Sequence, residues 1–161
     1  MNKVIVIGSP GSGKSVFSKE LHKRIKLPLY HLDNLFWNED KTSVLRHVFD
    51  ERLNEILNKD SWIIDGNYAR TMNIRMSFCD TMIFLDYETE LCLKSVKERM
   101  GKKRSDIPWV ETEEDAEFIE YIKNFNVEQK PEILKLLNIY SNKQIFVFKT
   151  REEATMFLNN L

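Results

Sequence analysis

Residues 8–15 read Gly8-Ser9-Pro10-Gly11-Ser12-Gly13-Lys14-Ser15, and no other stretch constrains the chain as much. They fit G-x-x-x-x-G-K-[ST], the P-loop pattern. A triphosphate needs many donors at once, and backbone N–H groups supply them only where the chain curls tightly around it. Gly8, Gly11 and Gly13 permit that curl, with Ser9, Pro10 and Ser12 completing the cradle. Lys14 is placed to reach the β/γ-phosphates as a mobile charge, and the Ser15 hydroxyl to ligate Mg²⁺. The helix that follows would turn its positive dipole end toward the phosphates.

Chance is a poor explanation for this match. Two fixed glycines, a lysine and a Ser/Thr at this spacing arise in roughly one chain in two hundred of this length. The context is also the one the motif needs. Lys3-Val4-Ile5-Val6-Ile7 reads as a buried parallel strand, and Val16, Phe17, Leu21 and Ile25 recur at helical spacing behind the loop.

The 161 residues suggest a single domain spanning 1–161, long enough to bury a core without disulfide or metal staples. The 24 basic and 25 acidic residues leave a net charge of −1, so no basic field draws the chain to nucleic acid or to a membrane. Direct DNA binding is therefore not expected. Cys79 and Cys92 show no metal or redox spacing, and the first apolar run is too short for a leader or a membrane span. The expected setting is cytoplasmic.

Strands and helices alternate. Further strands are expected at Leu27–Leu32, Ser61–Ile64, Thr81–Leu85 and Gln144–Phe148. Helices are expected over 43–58, from a Thr89 cap to about Gly101, from a Thr112/Asp115 capping box to about Asn124, from Pro131 to about Tyr140, and over 151–160. The break before Pro131 falls at Lys130, which a following proline pushes out of helical geometry. This alternation implies an α/β fold with a parallel sheet covered on both faces, and ligands beyond the carboxyl ends of its strands.

The strand ends carry Asp33, Asp65 and Asp86. Asp33 and Asp65 are candidates for the acceptor, for Mg²⁺ or its water shell, or for a catalytic base; Asp86 is more simply a turn residue. Gly66 and Arg70 follow Asp65, and Arg75 lies further on. Arg99 precedes Gly101-Lys102-Lys103-Arg104, a basic break between two helices. Phosphoryl transfer spreads charge over equatorial oxygens that arginine forks suit, and a basic inter-helix segment has the form of a lid. Trp37 can line an acceptor pocket, whereas His31, inside an apolar strand, reads as a core histidine.

Together, Gly8–Ser15, Asp33, Trp62-Ile63-Ile64-Asp65-Gly66-Asn67-Tyr68-Ala69-Arg70, Ile83-Phe84-Leu85-Asp86 and Arg99 resemble the adenylate-kinase-related P-loop kinases. Tyr30–Trp37, the Asp-Gly-Asn-Tyr step and a lid followed by Phe118, Ile122 and Phe125 look most like the bacterial topology modulation proteins among them. The resemblance implies a three-layer α/β/α fold, a five-stranded parallel sheet in the order 2-3-1-4-5, an ATP·Mg²⁺ site and a helical lid over about 99–125. It also implies phosphate contacts from Arg70 and Arg99. Two positions depart from the nucleoside-monophosphate kinases, which usually have Phe-Pro where Asn67-Tyr68 stands and an arginine where Ser95 stands. Both departures weaken the case for a monophosphate acceptor.

The expected function is transfer of the γ-phosphoryl group of ATP·Mg²⁺ to a small molecule, a hydroxyl compound or a nucleotide. In that reading Lys14, Arg99 and Arg104 stabilise transferring charge, Asp33 serves the acceptor, and Ser15 and Asp65 serve the metal. The alternative is an ATP-binding regulator that affects DNA topology through a partner without phosphoryl transfer.

Overall fold

In the computed structural model, which describes residues 1–161, the elements follow one another as β1 (Lys3–Gly8), α1 (Lys14–Ile25), β2 (Leu29–His31), α2 (Leu32–Phe36), α3 (Arg46–Leu57), β3 (Trp62–Asp65), α4 (Ala69–Phe78), β4 (Thr81–Leu85), α5 (Thr89–Arg99), α6 (Ala116–Glu128), α7 (Lys130–Ile139), β5 (Gln144–Phe148) and α8 (Arg151–Asn159). The sheet is parallel throughout, in the order β2-β3-β1-β4-β5. Ile5 of β1 stands opposite Ile64 of β3 on one side and Met82 of β4 on the other.

The strand side chains explain the three layers. Successive residues of a strand point to opposite faces. Ile5, Ile7, Ile64, Met82 and Phe84 accordingly enter one apolar cluster, with Phe49, Leu53, Met76 and Leu137 from the helices on that face. Val4, Val6, Ile63, Ile83 and Leu85 enter the other, with Phe17, Leu21, Val96 and Leu158. A sheet buried on both sides needs apolar runs rather than alternation, and β1, β3 and β4 supply them. No helix is long and apolar enough to cross a membrane.

Several boundaries differ from the sequence reading. Asp33 does not end a strand: β2 stops at His31, and Asp33 lies in the first turn of the short helix α2. Five residues are too few to show a period. Helix α4 was also hidden, because its buried face carries Thr71 and Arg75 beside Met72 and Met76 and so lacks an apolar stripe. Thr112 does not cap α6; Asp115 does, accepting from the backbone N–H groups of Glu117 and Phe118 at 3.0 and 3.2 Å. Thr89 is the first residue inside α5 rather than its cap, and its hydroxyl accepts from Asn126 at 3.1 Å. The break before Pro131 falls at Gln129, with Lys130 already in α7. Pro131 then sits in a first turn, where its missing N–H costs nothing.

Candidate active site

A cleft of about 500 Å³ lies beyond the carboxyl ends of β1, β2 and β3. The P-loop forms its floor. Gly11 has φ +82°, and a Cβ there would lie 2.2 Å from the Cys92 carbonyl oxygen. The backbone of α5 thus presses on the loop, and only glycine leaves room. Lys14 Nζ donates to the carbonyls of Gly8 and Ser9 at 2.9 and 3.1 Å, which arches its side chain over the loop. Burial lowers the pKa of the ammonium, while Asp65 and then Asp33 pull it back up.

The turn from β3 into α4 ties this floor to the far end of the cleft. Asn67 grips the backbone of Gly8 at both groups: its Nδ2 donates to the carbonyl at 2.7 Å, and its Oδ1 accepts from the N–H at 3.2 Å. Tyr68, with φ +32°, donates its hydroxyl to Asp33 Oδ1 at 2.6 Å. Beneath the turn lies Arg75, fully buried. Its guanidinium donates to the carbonyls of Gly66 (3.0 Å), Asn67 and Tyr68 (3.2 Å), and to the Thr71 hydroxyl (3.2 Å). A buried cation is tolerated only when its hydrogen bonds are met, and here the turn's carbonyls meet them.

The carboxylates are set differently from one another. Asp33 is held above its usual range, mainly by burial; the Tyr68 bond and the Lys14 charge oppose that and lose. Asp65 accepts from His31 Nδ1 at 2.8 Å, in a pair whose side chains are 5% and 10% exposed. Burial would lower the His31 pKa, but Asp65 overcomes it and raises it. His31 is thus a largely buried histidine outside the cleft lining, satisfied by the cleft carboxylate Asp65. Asp86 takes no part in the cleft. It is buried between Lys130 (2.9 Å) and Lys149, and so fastens β4 to α7 and β5.

The segment 100–115 between α5 and α6 lies over the cleft. Arg99 Nε pairs with Glu111 at 3.0 Å, and Arg104 bridges Glu111 (2.8 Å) and Asp106 (3.0 Å to Oδ1). Asp106 Oδ2 in turn accepts from the Ser15 hydroxyl at 2.6 Å. Burial alone would raise the Asp106 pKa, yet the bonds from Arg104 and Ser15 bring it down to about 2. Asn34 of α2 donates to the Ser105 carbonyl at 2.8 Å, and Trp37 meets Trp109 edge to face, so the segment also rests on α2. Ile122 and Phe125 of α6 are buried in the body, while Phe118 and Tyr121 of the same helix line the cleft.

The structure brings Pro10, Gly11, Gly13, Lys14, Ser15, Asp33, Asp65, Gly66, Arg99 and Arg104 to one cleft; of the expected residues, Gly8, Ser9, Ser12, Trp37 and Arg70 lie outside its lining. Arg70 points outward, forked onto Asp50 at 2.6 and 3.1 Å. Trp37 packs on Phe36 and Trp109. The cleft also contains residues that spacing did not reveal. Arg151, from α8, donates to the Ser95 hydroxyl at 2.5 Å, and both line the cleft. A guanidinium therefore stands at the helix position where an arginine was missed, supplied by another element.

No three His, Cys, Asp or Glu side chains converge closely enough to hold a metal ion alone. A Mg²⁺ ion usually takes one or two protein oxygens and draws the rest of its shell from phosphates and water. Ser15, with carboxylates nearby, fits that pattern.

No protein-family model matches the sequence, and no curated protein matches it. Solved structures do match its fold. The shikimate kinase from Acinetobacter baumannii in complex with shikimate has a TM-score of 0.60 at 15% identity, covering 99% of this chain and 92% of that one. The shikimate kinase from Bacteroides thetaiotaomicron gives 0.56 at 16%, covering 98% and 94%. That from Aquifex aeolicus gives 0.55 at 18%, covering 98% and 91%. The strand order and the helices on both faces are those of a P-loop NTPase fold.

Proposed function

We propose that the chain transfers the γ-phosphoryl group of ATP·Mg²⁺ to a hydroxyl of a small molecule. The observation that carries this reading is one cleft holding both a P-loop and a half-buried, hydrogen-bonded carboxylate, Asp33. A phosphate or carboxylate acceptor attacks with an oxygen already ionised. A hydroxyl must lose a proton, and a carboxylate within reach can take it as the bond to phosphorus forms. The fold likeness to a shikimate kinase in complex with shikimate supports a small-molecule acceptor. The sequence resemblance to adenylate-kinase-related proteins and topology modulation proteins supports the nucleotide half.

Each residue then has a task. The P-loop amides and Lys14 hold the β/γ-phosphates. Ser15 would ligate Mg²⁺, with Asp65 as an expected outer partner, and the ion would supply positive charge against the phosphates. Asp33 takes the acceptor proton, and Tyr68 fixes which of its oxygens is free. Arg99 stabilises charge on the transferring group. Gly66 and Asn67 hold the wall between donor and acceptor. Segment 100–115 excludes water, so that transfer to solvent does not compete.

The test is a phosphoryl-transfer screen with purified protein, ATP·Mg²⁺ and panels of nucleosides, sugars, other alcohols and nucleoside monophosphates, read by phosphorus NMR. A new phosphate ester on an alcohol is expected. Transfer to monophosphates alone would overturn the hydroxyl acceptor, and absence of transfer to any acceptor despite ATP binding would overturn the kinase reading.

A further inference from the structure

We propose that Asp106 is a metal-site carboxylate carried on the covering segment, and that with Ser15 it holds the nucleotide's divalent ion. The inference rests on the reading that ATP·Mg²⁺ binds at the P-loop, and it adds where the protein's second metal-site oxygen comes from.

Asp33, Asp65 and Asp86 make no bond to Ser15. Asp33 is bonded to Tyr68, Asp65 to His31, and Asp86 to two lysines away from the cleft. The carboxylate that touches the Ser15 hydroxyl is Asp106, 91 residues along the chain. Its placement is not a loose surface contact. The side chain is 5% exposed, although the segment around it is largely open to solvent. Arg104 donates to both of its oxygens from Nε and Nη2, which fixes the plane of the carboxylate. Arg104 is itself held by Glu111, and Glu111 by Arg99. Three charged side chains thus aim one carboxylate oxygen at the P-loop serine.

The spacing suits a small divalent ion. Ser15 Oγ and Asp106 Oδ2 are 2.6 Å apart. Neighbouring oxygens in an octahedron with metal–oxygen bonds of 2.0–2.1 Å lie roughly 2.9 Å apart. An outward shift of a few tenths of an ångström opens the hydrogen-bonded pair into a coordinating pair. Charge points the same way. A carboxylate beside the phosphates opposes a metal-free triphosphate and is reconciled with it by a cation between them. Asp106 therefore discriminates metal-loaded from metal-free nucleotide, and the ion joins the covering segment to the P-loop.

The test uses binding rather than turnover. Mn²⁺ is titrated into wild type, Asp106→Asn and Asp106→Glu, each saturated with a non-hydrolysable ATP analogue, and free Mn²⁺ is read by electron paramagnetic resonance. Analogue binding is measured separately in EDTA by calorimetry. For Asp106→Asn we expect a 10–100-fold loss of Mn²⁺ affinity, with binding in EDTA unchanged or tighter, and partial recovery of Mn²⁺ affinity in Asp106→Glu. Unchanged Mn²⁺ affinity in Asp106→Asn overturns the proposal. So does equal tightening with and without metal, because Asp106 would then only cover the loop. A wild-type protein that binds no analogue fails the nucleotide reading itself, a result distinct from either.

Discussion

The Tyr68 hydroxyl donates to Asp33 Oδ1 across 2.6 Å and joins the β3–α4 turn to the short helix α2. One oxygen of Asp33 is thereby occupied and the other is left for the acceptor. Burial holds the Asp33 pKa above its ordinary value. The group must be ionised to act as a base, so kcat should fall as pH drops through that raised value and level off above it. Asp33→Asn should remove this acidic limb and cost ~10²–10⁴-fold in kcat. Tyr68→Phe removes a bond that favours the ionised form, so its limb should move to higher pH. A limb that persists in Asp33→Asn would assign the proton transfer to another group.

Lys14→Ala should abolish transfer and weaken ATP binding with the fold intact. Its ammonium bonds only to the Gly8 and Ser9 carbonyls in this structure, and the Gly8 carbonyl keeps its bond from Asn67 once it is gone. Circular dichroism and nucleotide titration check the two halves. Normal turnover in the mutant would dismiss the P-loop as the phosphate site.

Arg99→Ala should lower kcat more than it raises the KM for ATP, because the guanidinium acts on charge that develops during transfer. Arg104→Ala should behave similarly and should also loosen Asp106, so its defect should grow at low Mg²⁺ while that of Arg99→Ala does not. Steady-state kinetics at two Mg²⁺ concentrations separates these outcomes.

Arg75→Met should be a stability mutant first. The guanidinium is fully buried and serves three carbonyls of one turn. Removing it strands acceptors that cost about 1–3 kcal/mol each when left unpaired in the interior, so a net loss of about 3 kcal/mol is expected. The urea midpoint should fall with little change in slope. A shift below about 0.5 kcal/mol would mean that water replaces the guanidinium at the turn.

What the sequence revealed was local. The P-loop is eight consecutive residues, and β1, β3 and β4 are apolar runs that a doubly covered sheet demands. What it hid was long-range pairing. Asn67 and Tyr68 were visible only as a departure from Phe-Pro; their partners Gly8 and Asp33 lie 59 and 35 residues away. Asp106 stood in the covering segment with nothing to connect it to Ser15. Arg70 was expected at the phosphates because it follows the Asp-Gly step, but α4 turns it outward to Asp50. Helix α4 escaped notice for the reason that makes it useful: its inner face spends a position on Arg75 to hold the turn.

Arg151 gives the cleft a dependence on the order of synthesis. The guanidinium beside Ser95 is made 136 residues after Ser15 of the P-loop. A chain leaving the ribosome at ~5–20 residues per second therefore carries its phosphate cradle for roughly ten seconds before this wall of the cleft exists. During that interval β4 also lacks its β5 neighbour, which pairs with it from Thr81 to Leu85. The nascent chain is then an incomplete receptor with an open sheet edge, and ligand can stabilise the finished cleft only after α8 has docked.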